Sequence, residues 1–485
     1  MPTPPTTLVW FRHDLRLADH RALSAAAERG AVVPVFVWAP EEEAPWQPGG
    51  AHRWWLHHAL QSLDADLRAH DSRLILRDGD TLEELRALID ATGADAVFWQ
   101  RRYEPHLAAR DARISKSLTE DGIETTAFEG QLIHDPDGVK TTSGGSYHVY
   151  TPFWKKVTGH DLLQTPPPLS APRLGPSKAP DTWPESAPLD ALALRPETRD
   201  AVDWADGLHA TWTPGEAAAH ERLQYTLNHI LTDYETSRDR PDQDGTSRLS
   251  PYLHHGALSP NQIWHAATDW ADENDAHDDA ESFLQELVWR EFSYHMLHHY
   301  PDTPTENYKD KFDGFRWTDN EEWLDRWQRG QTGYPIVDAG MRQLHEIGWM
   351  HNRVRMIVAS FLTKDLLIGW WHGARWFWGA LVDGNLASNT MGWQWSAGSG
   401  ADAQPFFRIF NPVSQGERHD PNGDYVRRWV PELADLPTKH LHQPWNAPAR
   451  VLAKAGVTLG ETYPAPIVDH SEMRDKAMAA YDEVR

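Results

Sequence analysis

The chain of 485 residues contains no cysteine. That absence removes disulfides, thiolate nucleophiles, thiolate zinc sites and iron–sulfur clusters together. Long apolar runs are missing too, so no membrane partner is expected. The opening stretch MPTPPTTLVWF lacks the basic and apolar regions of a secretory leader, and a cytoplasmic location is the expectation. No Gly-x-Gly-x-x-Gly follows the first strand-like run, which weakens a dinucleotide dehydrogenase reading. Positive charge is scarce: 46 Lys and Arg stand against 71 Asp and Glu, a formal net charge of −25. Such a surface repels a phosphate backbone. It also suits a salty, halophilic cytoplasm, where the screening length falls to about 3 Å at 1 M salt and local basic grooves can persist.

What the chain has in abundance is tryptophan, 25 in all, and a clear change of pattern along its length. TLVWF, VVPVFVW, RLILRDG, DAVFWQ and IETTAFEG are β-branched or aromatic runs; between them lie RALSAAAERG and HALQSLDADLRA, with helical spacing. Strand–helix alternation predicts an α/β domain with a Rossmann-like parallel sheet over residues 1–135. A Pro-rich stretch without period, DLLQTPPPLSAPRLGPSKAPDTWPESAPLD, predicts a linker within residues 136–205, and the rest, 206–480, reads as an all-α domain.

The helical part carries the chemistry. TSRLSPYLHHGALSP holds two Ser-Pro pairs, Ser250-Pro251 and Ser259-Pro260, each resembling a helix N-cap followed by Pro at the first helical position. Ahead of the first lies Gly245-Thr246-Ser247-Arg248, whose hydroxyls, amides and guanidinium could cradle a pyrophosphate. In LQELVWREFSYHM, helical spacing puts Glu286, Trp289 and Arg290 together. In WMHNRVRMIVASFL it places Asn352, Arg355 and Met356 on one stripe, a combination that a dry core avoids unless it meets a ligand. Metal motifs are not visible: HMLHHY lacks a further ligand at the right spacing, and HEIGWMH misses the zincin pattern, so no metal is expected.

These stretches, together with VWFRHDLRLADHRAL, TPFWKK, TGYPIVDAGMRQL, DGNLASNTMGWQW and FRIFNP, resemble the photolyase/cryptochrome family, specifically class I cyclobutane pyrimidine dimer photolyases. The likeness spans nearly the whole chain. It implies an N-terminal antenna domain, a helical FAD-binding domain and light-driven repair of UV-damaged DNA, single- or double-stranded, by a monomer. It assigns Tyr234, Thr246, Ser247, Arg248, Leu249 and Ser250 to the FAD phosphate and ribose region, with Arg290 near the phosphates. Asn389 would face the reactive flavin nitrogen, with Asn385 and an Arg355–Asp383 pair beside the ring. Glu286, Asn352 and Met356 would meet the flipped-out dimer, Trp289 and Trp395 would pack on it, and Trp393, Trp370 and Trp317 resemble the family's electron relay. Arg353 and Arg408 would contact DNA, with Lys155, Lys156 and Arg418 as further cations. Trp54, Trp55, Trp323, Trp327, Trp371, Trp376 and Trp378 read as core.

Departures from the family pattern are informative. Asp383-Gly384-Asn385 replaces the usual Asp-x-Asp beside the flavin. Leu107 stands where folate-binding relatives carry Glu, and Glu104-Pro105 resembles deazaflavin binders, which favours 8-hydroxydeazaflavin over methenyltetrahydrofolate as a second antenna chromophore. A cryptochrome-type blue-light photoreceptor shares the fold, but its plant members carry Asp at the place of Asn389.

Overall fold

Five parallel strands, β1 (Thr6–Phe11), β2 (Ala31–Trp38), β3 (Ile75–Asp78), β4 (Ala96–Gln100) and β5 (Glu124–Phe128), lie in the order β3-β2-β1-β4-β5. The computed structural model describes residues 5–159, 165–195 and 205–485; parts of the expected linker, 160–164 and 196–204, lie outside them. Parallel neighbours need long crossovers, and four helices accompany the strands: α1 (Arg21–Arg29), α2 (Gly50–Ala69), α3 (Thr81–Thr92) and α4 (Pro105–Glu120). β2, AVVPVFVW, is buried throughout, as a strand covered on both faces must be. β5, ETTAF, is polar and partly exposed, which suits an edge. Local signals set the helix ends. Asp80 caps α3 by accepting from the Glu83 amide at 3.0 Å, and Gly93 closes it at φ 63°.

Strand order reverses between β1 and β4, the place where open parallel sheets form a ligand crevice beyond their strand ends. Here the chain's own side chains fill it. Arg12 lies over Trp10 at 4.2 Å and pairs with Asp111 at 2.6 Å, leaving a space of about 20 Å³. Glu104, the residue that suggested a deazaflavin, has both carboxylate oxygens on Arg102 at 3.0 Å. Burial opposes its charge, yet the Arg102 guanidinium holds the carboxyl down at about 2. A tricyclic ring does not fit this crevice without displacing those side chains.

The chain beyond the linker is helical, and among the described residues no helix is long and apolar enough to cross a membrane. Helices His277–His299, Asn352–Ser360, Trp370–Ala380 and Leu386–Ala397 frame the central cavity. The expected linker is not wholly irregular. Tyr150–Val157 forms a helix, and Tyr150 stacks on Trp289 with ring centroids 3.6 Å apart and planes at 6°. The two domains approach closely: a Cβ on Gly49 would stand 2.4 Å from the Gly379 carbonyl oxygen.

The two Ser-Pro pairs behave differently. Ser259 forms a full capping box with Gln262, Pro260 following in the first turn. Ser250 is not a cap. It lies inside the short helix Ser250–His254, whose N-cap is Leu249, and its hydroxyl accepts from the Trp349 indole at 3.3 Å. A neighbouring indole competed for the hydroxyl that a cap would have used.

Candidate functional site

A cavity of about 490 Å³ opens between these helices, within the range of small-molecule sites. Its walls bring together residues from sequence positions 234 to 396. One wall is the helix Leu386–Ala397, which starts at Asn385: the Asn385 Oδ1 accepts from the Ser388 amide at 2.9 Å. Asn389 follows a turn later. Its Nδ2 donates to the Ala374 carbonyl at 2.9 Å, so the acceptor Oδ1 is the atom left to face a ligand. Gly392 lines the same wall, and a Cβ there would meet nothing within 4 Å. Bare backbone, a fixed acceptor and an open volume fit a flat heterocycle such as the flavin ring.

Arg355 and Asp383 form the pair that the resemblance implied, at 2.8 Å, with the carboxylate side chain only 3% exposed. Asn385 is engaged elsewhere as well. Its Nδ2 donates to the Tyr294 hydroxyl at 2.6 Å; that hydroxyl also accepts from Gln131 at 2.7 Å and reaches Glu104 at 3.4 Å. A polar chain therefore runs from the cavity wall to the sheet domain. Replacing Asn385 by Asp would keep the cap to Ser388, lose the donor to Tyr294 and add a negative charge to the wall. The expected result is a more negative flavin potential, measured by spectroelectrochemistry; equal potentials in both proteins would show that the charge is screened.

Tyr234, Ser247, Leu249, Ser250 and Arg290 line another part of the cavity and offer hydroxyls and a guanidinium. Arg290 is anchored through a 2.9 Å bond to the Gln131 carbonyl. Thr246 and Arg248, expected beside the phosphates, do not line it. Arg222 holds that loop, donating to the Ser247 carbonyl at 2.6 Å and the Thr246 carbonyl at 2.9 Å. Arg248, held at φ 52°, lies over Trp349 at 5.3 Å and near Asp244 at 3.4 Å. Arg222 was not legible in sequence, since nothing in its helix marks it as a loop anchor.

Glu286, Asn352, Met356, Trp289 and Trp395 line the cavity as a group. Sequence reasoning missed Arg238, which also lines it and pairs with Glu286 at 2.7 Å. Burial raises the Glu286 carboxyl above its ordinary range, and Arg238 opposes that shift. Trp289 is braced from behind by Tyr150, so its ring is fixed before any ligand arrives.

Trp393 lines the cavity and touches Phe377 and Trp327 at 5.0 and 6.0 Å. Trp371, read as core, stands 6.1 Å from Trp370 and 5.9 Å from Trp317 and so bridges the outer two members of the expected relay. Gly373 makes room for the inner one: a Cβ there would fall 2.1 Å from the Trp393 ring. Gly373→Ala should cost about 1–3 kcal/mol by overpacking and slow flavin photoreduction; unaltered kinetics would show that the ring can shift without losing its role. Arg353, expected on DNA, is held by both carboxylate oxygens of Asp239 at 2.7 Å. Arg408 is exposed, next to Phe407, which is 58% exposed.

Comparison with known proteins places these features. Residues 7–173 match the model of the DNA photolyase family, and residues 283–483 match the FAD-binding domain of DNA photolyase. The chain is 50% identical to a deoxyribodipyrimidine photo-lyase of Agrobacterium fabrum over 99% of its own length and 98% of that protein's. It is 36% identical to Cryptochrome-1 of Arabidopsis thaliana, covering 99% of this chain and 70% of that one. A crystal structure of a class III photolyase from Agrobacterium tumefaciens superposes with a TM-score of 0.95 at 49% identity, covering 100% of this chain and 98% of that one. That neighbour leaves the class I assignment without support. The α/β sheet, the helical cavity and full-length similarity lead to one conclusion: the chain is a member of the photolyase/cryptochrome family with an FAD-binding helical domain.

Proposed function

We propose that the chain is a deoxyribodipyrimidine photo-lyase that holds FAD in the helical cavity and splits cyclobutane pyrimidine dimers in DNA under blue light. The observation that carries this reading is a single cavity walled both by Asn389 and the Arg355–Asp383 pair and by Glu286, Asn352, Met356, Trp289 and Trp395. Reduced FAD, when bound, supplies the light-excited electron that opens the cyclobutane ring. The protein's part is placement and polarity. Trp289 and Trp395 offer flat apolar faces to a flipped pyrimidine pair, the Asn352 amide can pair with base edges, and protonated Glu286 can donate to a carbonyl that gains negative charge. Ser247, Ser250 and Arg290 would hold the pyrophosphate and ribose.

Arg408 is the better phosphate contact, because Arg353 is already neutralised by Asp239. Lys155, Lys156 and Arg418 are exposed and add positive charge to an acidic molecule. The filled switch-point crevice argues against the 8-hydroxydeazaflavin that the Glu104-Pro105 pair favoured, and no second chromophore is assigned there. Repair is tested directly with UV-irradiated oligothymidine. Loss of dimers in blue light but not in darkness is expected; dimers that survive illumination of the reduced flavoprotein would overturn the repair reading and leave the photoreceptor role of the cryptochrome relatives.

A further inference from the structure

Three histidines far apart in sequence meet where the sheet domain touches the helical body. His13 follows β1, His52 lies in α2, and His254 ends the short helix Ser250–His254. One ring nitrogen from each lies within 4.8 Å of the others, the sole such cluster among the described residues. Their ring centroids are 5.1, 4.7 and 4.8 Å apart, and His52 and His254 are only 2% and 4% exposed. No carboxylate or thiolate belongs to the triad.

Polar accounting bears on the cluster. His52 Nδ1 and His254 Nε2 face each other at 3.1 Å, while His13 Nδ1, His52 Nε2 and His254 Nδ1 have no hydrogen-bond partner. Buried nitrogens left unpaired are both costly and rare. His255 packs against the group, 4.6 Å from His52 and 4.7 Å from His254, and is tied to the Val382 carbonyl at 3.1 Å. Arg102 stands beside the group, in the wall of the crevice it shares with His13 and His52. Neutral imidazole is the form that binds metals.

We propose that His13, His52 and His254 form a binding site for a divalent transition-metal ion, zinc first among them, which clamps the two domains together beside the flavin cavity. Imidazole-only ligation suits zinc, copper or nickel and excludes magnesium and calcium, which want oxygen. Three histidines leave a fourth position for water. His13 and His52 wall the 20 Å³ crevice space, which holds about one water molecule. Glu43, Arg12 and Arg110 line that same space, and Arg102 is paired with Glu104 at 3.0 Å.

The test uses the full-length flavoprotein, made in medium supplemented with zinc chloride, desalted, and assayed for zinc by mass spectrometry. About one zinc per chain is expected, falling at least about tenfold in His13→Gln and in His52→Gln, with flavin content and circular dichroism unchanged. Should either variant fail to fold, stripping the wild-type protein with dipicolinate decides: its melting temperature should fall and recover when zinc chloride is restored. Substoichiometric zinc in the wild type overturns the proposal, as do equal zinc in the double variant His13→Gln/His52→Gln and a melting temperature indifferent to stripping. Metal content is read independently of repair, so failure here leaves the photo-lyase reading standing.

Discussion

Arg355→Ala will lose about 3 kcal/mol of stability and most of its flavin. The cause is the carboxylate left behind: Asp383 is 3% exposed, and its partner guanidinium stands at 2.8 Å. Breaking a buried ion pair from one side costs about 3–5 kcal/mol because the remaining charge is neither paired nor hydrated; the lower end applies because Arg355 is itself a quarter exposed. The same guanidinium also donates from Nε to the Met350 carbonyl at 2.8 Å, bracing the turn before the helix that carries Asn352 and Met356. Adding Asp383→Asn to Arg355→Ala should recover much of the loss, since a neutral amide tolerates burial better than a charge. Thermal unfolding and flavin absorbance of the wild type and both variants provide the check. Single and double variants of equal stability would show that the carboxylate finds water when its partner is removed.

Repair should fall as pH rises through the elevated ionisation range of Glu286. Burial lifts this carboxyl despite Arg238 at 2.7 Å, so the proton persists to higher pH than on an ordinary glutamate. The donating form is therefore present below that raised value and lost above it. A bound dimer would exclude further water and strengthen the effect. Below that range Glu286→Ala should slow repair about 10- to 100-fold, the loss of a hydrogen bond to a charge-bearing acceptor, and the deficit should shrink as the wild-type carboxyl ionises. Glu286→Gln keeps a donor at all pH and should flatten the alkaline fall. If Glu286→Gln shows the wild-type pH profile, the titrating group lies elsewhere.

Much of the architecture was legible because periodicity reports burial. The β-branched run VVPVFVW reads as a strand, and it lies inside the sheet, buried throughout. Residues spaced along one helix were equally readable, as Asn352, Arg355 and Met356 show by lining one cavity. Contacts between distant segments were not. Arg222 behind the phosphate loop, Arg238 on Glu286, Tyr150 behind Trp289 and Asp239 on Arg353 each join elements separated by many residues, and no local pattern encodes them. The same limit hid the histidine triad, whose members come from positions 13, 52 and 254. Ser250 failed for a different reason, since cap preference is a local propensity and Trp349 offered its hydroxyl a tertiary partner.

The hydrogen-bonded path from Asn385 through Tyr294 to Glu104 and Arg102 bears on protein engineering. Grafting the N-terminal lobe of another homologue onto this catalytic half would sever it unless the hydroxyl and both its acid and amide neighbours travelled together. Chimaeras that respect this triple should keep their native colour; those that split it should bleach.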